Sequence, residues 1–108
     1  MTKIDGLSGM GTEFEWDDDK ARRNERKHGI TFEEASTVFG DPLAVIFDDP
    51  EHSDEEPREI VVGYSNHSRL LIVSFTHREP AVRIISSRRA TSREREKHER
   101  SLFGGSDP

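Results

Sequence analysis

The stretch Arg69-Leu70-Leu71-Ile72-Val73-Ser74-Phe75-Thr76 carries five large apolar side chains in eight residues. Such a run, too short for a buried helix and bounded by turn residues, predicts a central strand with both faces covered. Ser65-Asn66-His67-Ser68, just before it, reads as a hairpin turn, and Glu59 to Tyr64 as the preceding strand. After it, His77 to Ala81 reads as a turn and Val82 to Ser87 as the last long strand. Leu43 to Phe47 is a further β-rich segment, separated from Glu59 by an acidic, proline-bearing loop over Asp48 to Pro57. Strands joined by tight turns imply an antiparallel sheet.

Helices flank this meander. Phe14-Glu15-Trp16 alternates as a short strand, and Asp17, Asp18 and Asp19 then supply an N-cap and an acidic first turn. The helix that follows ends near His28, at Gly29. Thr31-Phe32-Glu33-Glu34 has the spacing of a capping box, and Phe32, Ala35, Val38 and Phe39 fall on one face of a second helix. Thr91-Ser92-Arg93-Glu94 is another capping box, opening a charged helix to about Leu102. The expected class is α+β: about four antiparallel strands, two N-terminal helices and one C-terminal helix. Residues 1–12 read as a leader without regular structure, 13–102 as one domain and 103–108 as a frayed tail.

Composition narrows the functional classes. The 108 residues contain no cysteine, which excludes disulfides, thiolate metal sites and cysteine nucleophiles. No apolar run approaches a membrane span and no signal-peptide core is present, so the cytoplasm is the expected location and no membrane partner is expected. The five histidines, at 28, 52, 67, 77 and 98, show no paired metal-ligand spacing, and no phosphate or dinucleotide loop occurs; no metal or other cofactor is expected. Net charge is −6, yet residues 20–28 hold five Lys/Arg against one Glu, and 83–100 seven against three. Residues 33–59 hold ten acids and one Arg. Local positive charge suffices for a phosphate-binding face, and it equally describes ordinary solvated helix surfaces.

These segments in this order resemble the BrnT family of type II toxins. The residues that carry the likeness are Phe14-Glu15-Trp16-Asp17, Asn24, Lys27-His28-Gly29, Phe32-Glu33-Glu34-Ala35, Val38-Phe39, Asp41-Pro42, Arg69-Leu70-Leu71 and Ile84 to Thr91 with Glu94. The resemblance implies a RelE-like fold and metal-independent endoribonuclease activity on an RNA substrate. It also implies a cognate antitoxin with a ribbon-helix-helix domain (BrnA-like), with operator DNA bound only through that antitoxin. The family commonly has a tyrosine near the end of the last helix, where this chain has His98.

Metal-free RNA cleavage needs a group to accept the 2′-hydroxyl proton, cations to stabilise a dianionic phosphorane, and a proton for the leaving 5′-oxygen. The candidate catalytic residues are Arg88, Arg69, Lys27, His28 and Glu94. Arg88 precedes the last helix, where it would face a phosphate or pair with a neighbouring acid. Arg69 opens the central strand as a site residue or a surface charge. Lys27 and His28 close the first helix, where cations also suit the helix dipole. Glu94 is a base or simply the partner of Thr91. Substrate-binding candidates are Arg83, Trp16, Arg89 and His98. Arg83 shares one strand face with Ile85 and Ser87 by period two, and Trp16 is a base platform or a core anchor. The nuclease reading requires Arg69, Arg83, Arg88 and Lys27 to converge on one concave patch. The competing reading is a non-catalytic protein whose basic surface binds the antitoxin and completes a DNA-binding operon repressor.

Overall fold

In the computed structural model the described residues are 2–8, 12–49 and 56–104. The strands are β1 (Thr2–Ser8), β2 (Thr12–Asp17), β3 (Val45–Asp48), β4 (Glu59–Tyr64), β5 (Leu70–Arg78) and β6 (Ala81–Arg89). The helices are α1 (Asp18–His28), α2 (Phe32–Thr37) and α3 (Ser92–Glu99). A 3-10 turn (Val38–Gly40) follows α2 and a π turn (Arg100–Gly104) follows α3. Residues 50–55 of the acidic loop and 105–108 of the tail read as frayed lie outside the described residues, while 103 and 104 belong to the π turn.

The sheet is mixed, in the order β1-β2-β6-β5-β4-β3. The meander β3 to β6 is antiparallel as expected, and β5 lies inside it. The expectation of about four antiparallel strands falls short in two ways. First, β2 joins β6 in parallel, pairing Glu13, Phe14 and Glu15 with Ala81, Val82 and Arg83. Second, residues 2–8, read as a structureless leader, form β1 against β2, from Thr2 opposite Asp17 to Ser8 opposite Thr12. Edge pairing draws a weakly patterned segment into a sheet, a tertiary effect that composition does not carry.

Local signals set the helix ends. Asp17 caps α1 by accepting from the Lys20 N–H at 3.0 Å, and Gly29 ends it at φ 73°, its N–H bonded to Glu25 O at 2.8 Å. Thr31 caps α2 from its hydroxyl, but Glu34 does not complete the box; its carboxylate turns inward to Ser65 and Arg69. Thr91 and Glu94 complete theirs on α3.

The core lies between one sheet face and α1 with α2. Phe14 and Trp16 from β2, Val61 from β4, Leu71, Val73 and Phe75 from β5 and Ile84 from β6 meet Ile30, Phe32, Ala35 and Val38. Burying each large apolar side chain is worth about 1.5–3 kcal/mol, so this cluster dominates stability. The Phe39 ring is wedged 5.0 Å from both Phe14 and Phe75. Gly63 lets the chain after α2 approach β4: a Cβ there would sit 2.9 Å from Ala44 Cβ and 3.0 Å from Val38 Cγ1.

Register places a defect where it matters. Ser86 pairs with Ser74, but Ile84 pairs with Phe75, so Ile85 is an extra, bulged residue in β6. The bulge inverts the parity of everything after it. Ser87 is therefore buried on the Ile84 side of the sheet, not grouped with Arg83 as period two predicts. Arg83, opposite Thr76, and Arg88, opposite Ile72, instead share the face away from α1 and α2. That face is open except where α3 lies across it.

Candidate active site

Arg88 is held over the open face by α3. Glu94 sits at the third position of that helix, where the capping box fixes it: its Oε1 accepts from the Thr91 N–H at 2.8 Å. The same carboxylate accepts a forked pair from Arg88, Nη1 to Oε1 at 2.9 Å and Nη2 to Oε2 at 3.0 Å. Planar bidentate pairing fixes a guanidinium in orientation as well as position. Arg88 first, and the Thr91 N–H second, lower the Glu94 carboxyl from 4.5 to about 2. Glu94 in turn raises the Arg88 guanidinium above its ordinary value. A carboxylate that acidic is ionised at neutral pH and a weak proton acceptor. Its geometry suits it to hold Arg88.

Arg88 lines an open depression with Arg58, Ser74, Ser86 and one carboxylate, Asp49, floored by Ile60 and Ile72. Two guanidinium-bearing residues and two hydroxyls beside an apolar floor can cradle a phosphodiester. Arg58, Ser74 and Ser86 were not legible as site residues. The one available signal for Arg58 was its standing as the single base among ten acids over residues 33–59.

The expected convergence of four cations does not occur. Arg83 is on the Arg88 face but pairs with Glu15 at 2.7 Å, both side chains about one-fifth exposed. Arg69 belongs to the other face, where Nε donates to Glu34 Oε2 at 2.9 Å and a second nitrogen reaches Oε1. Ser65 also donates to Glu34, at 2.7 Å. Burial alone would push the Glu34 carboxyl up; the bonds from Arg69 and Ser65 and the guanidinium charge outweigh it and hold it low. Arg69 is thus a clamp between the β4–β5 turn and α2. Lys27 is exposed and His28 half-buried at the end of α1, which packs on the covered side; among the described residues neither makes a hydrogen bond or ion pair to Arg88, Arg83 or Glu94.

Trp16 is 1% exposed, its ring edge-on to Phe32 at 5.9 Å. It is a core anchor and offers no face to a base, which corrects the substrate-binding expectation. Arg89 alternates away from Arg88 and lines a separate recess with Arg69 and Arg95. His98 lies one turn beyond Glu94 on α3, 7% exposed, its ring 6.2 Å from that of Tyr64. Of the sequence candidates, the structure therefore brings together Arg88 and Glu94, with Arg83 farther along the same face and His98 on the same helix side.

Among the described residues, no group of three or more His, Asp or Glu side chains is placed to hold a metal ion, and no helix is long and apolar enough to cross a membrane.

Three helices on a mixed sheet, with an arginine clamped at the start of the last helix and facing the uncovered side, define a small α+β protein with a fixed guanidinium on its open sheet face. Comparison with known proteins gives the class a family. Residues 16–94 match the family model described as the ribonuclease toxin, BrnT, of type II toxin-antitoxin systems, and the chain belongs to that family. The matched span begins at Trp16 and ends at Glu94, so it includes the core and the clamp. The 1.1 Å crystal structure of the Brucella abortus ribonuclease toxin BrnT is similar in fold, with TM-score 0.58 and 24% identity. The alignment covers 80% of this chain and 99% of that one. No match was found among curated proteins.

Proposed function

We propose that this chain is an endoribonuclease toxin that cleaves RNA on the open sheet face without a metal ion. The 2′-hydroxyl gives its proton to solvent as its oxygen attacks the adjacent phosphorus, the P–O5′ bond breaks, and the leaving 5′-oxygen takes a proton from solvent, giving a 2′,3′-cyclic phosphate and a 5′-hydroxyl. Arg88, pre-oriented by Glu94, donates to the phosphoryl oxygens as negative charge builds on them; Arg58, Ser74 and Ser86 seat the strand. The four-cation patch that the sequence reading required is not formed, so the reading rests on family membership and on one observation, the forked Arg88–Glu94 pair beside an uncovered depression. A donor fixed in advance costs no reorganisation as charge develops, and losing one such donor costs about 10²–10³ in rate. The cell's control on this activity would be a cognate ribbon-helix-helix antitoxin, BrnA-like, through which the pair binds operator DNA.

The test is cleavage of labelled RNA by purified protein in excess EDTA. Wild type should cut; Arg88→Ala, with an unchanged circular dichroism spectrum, should be slower by about 10²–10³. Folded wild-type protein that leaves every RNA intact would overturn the proposal.

The scatter of Arg69, Lys27 and Arg89 away from Arg88 favours a second reading, in which the chain serves mainly to bind the antitoxin and complete an operon repressor. It predicts operator binding by the pair and no growth inhibition when the chain is expressed alone.

A further inference from the structure

Beside the Arg88 depression lies a second, more apolar groove, between α3 and the strands β3, β4 and β5. Its floor is Val45, Val62 and Ile72. Ile72 also lines the Arg88 depression, so the two adjoin across that side chain. Two features of the groove are unexplained by folding. Phe47, on its wall, is 52% exposed, a large aromatic side chain left in water. His98, also lining it, is 7% exposed, and its Nε2 is buried without a hydrogen-bond partner among the described residues. Leaving a polar atom so costs about 1–3 kcal/mol. The third feature is charge: Lys97 and Glu94 line the groove, and Arg88, paired with Glu94, stands beyond its end.

An aromatic platform, an aliphatic floor, one orphan ring nitrogen and adjacent cations are the elements by which proteins hold an unpaired nucleobase. Glu94 and His98 are four residues apart on α3, on one side of the helix and about one turn, roughly 5.4 Å, from each other. That offset matches the step from a phosphate to the base of its own nucleotide. We infer that the groove is a nucleobase site: a base next to the scissile phosphate stacks on Phe47 and hydrogen-bonds His98 Nε2 along its edge. The phosphate rests at Arg88. Phe47 and His98 thereby set which nucleotide is placed for cleavage. This inference rests on the ribonuclease reading for its consequence, though base binding can be measured without cleavage. Apolar groove and exposed Phe47 would also suit a protein segment, but the buried orphan nitrogen, and Lys97 beside the Arg88 depression, favour a nucleotide.

The experiment has two arms on the full chain. In the first, AMP, GMP, CMP and UMP are titrated into isotope-labelled protein. At least one should shift both the Phe47 ring and the His98 imidazole signals, and the His98 shift should vanish in Phe47→Ala. In the second, an oligonucleotide cut at one position is compared with its abasic counterpart. The abasic change should lower kcat/KM about ten-fold for wild type, and within two-fold for Phe47→Ala and His98→Phe. If no mononucleotide moves either signal, or if the abasic penalty is the same in wild type and both variants, the inference fails. It also fails if Phe47→Ala abolishes antitoxin binding while nucleotide shifts and the abasic penalty persist. A chain that binds a nucleotide at these residues but cuts no RNA would refute the ribonuclease reading and leave the base site standing.

Discussion

Replacing Asn24 by leucine should unfasten α1 from β6. Asn24 is 7% exposed, and its amide makes three hydrogen bonds: Nδ2 to Ile30 O at 3.0 Å and to Ser87 O at 2.8 Å, and Oδ1 from the Ser87 N–H at 3.0 Å. The parallel pairing of β2 with β6 is recorded only as far as Arg83. Beyond it, Ser87 turns its main-chain groups to that side and meets the Asn24 amide, which takes the place of a strand's peptide group. Leucine fills similar volume and offers no partner. Three neutral hydrogen bonds at about 1 kcal/mol each give a loss of roughly 3 kcal/mol, more if the stranded groups stay dry. For a chain of this size that corresponds to a Tm lower by roughly 12–24 °C. Urea unfolding measures the loss, and amide exchange at Ser87 localises it: protection there should collapse in the variant. A loss under about 0.5 kcal/mol, or a Ser87 amide as protected as before, would refute the strand-substitute argument.

Arg69→Ala should destabilise by roughly 2–4 kcal/mol, because it strands the buried Glu34 carboxylate, and the Glu34→Leu/Arg69→Met pair should recover much of that in denaturant unfolding. A loss of toxicity in Arg69→Ala would then trace to folding, whereas in Arg88→Ala it should appear in a folded protein, with Tm lowered only by the roughly 1 kcal/mol of the exposed pair with Glu94. The Glu94 carboxyl is lowered in the folded chain from 4.5 to about 2, so its contribution is present above pH 4.5 and drains away as pH falls toward 2. Both side chains of the pair are over a third exposed (42% and 38%), so screening leaves on the order of 1 kcal/mol. Thermal melts of wild type and Glu94→Gln should therefore differ at pH 7 and converge near pH 2; a constant gap across that range would contradict the assignment.

Much of the fold was readable residue by residue. The capping residues Asp17, Thr31 and Thr91 and the terminating Gly29 stand where the helices start and stop. The apolar run after Arg69 became an inner strand, although Ile72 and Ser74 remain half-exposed on the open face. The candidate site was half readable. Arg88 and Glu94 are six residues apart across one turn, close enough for local spacing to bring them together. Arg58 and the groove residues Phe47 and His98 come from separate elements, and their neighbours follow only from strand order.

Local chemistry is what the sequence by itself determined: caps, turns and apolar periods are set by residues within a few positions of each other, and they hold in any surroundings. Which face each charge occupies was decided by tertiary structure. One bulged residue, Ile85, puts Arg83 and Arg88 on the same side, and a carboxylate 35 residues upstream holds Arg69 on the other. A strand's side-chain parity is the sum of every register step along it, so a single inserted residue, invisible as a pattern, redistributes all the charges that follow.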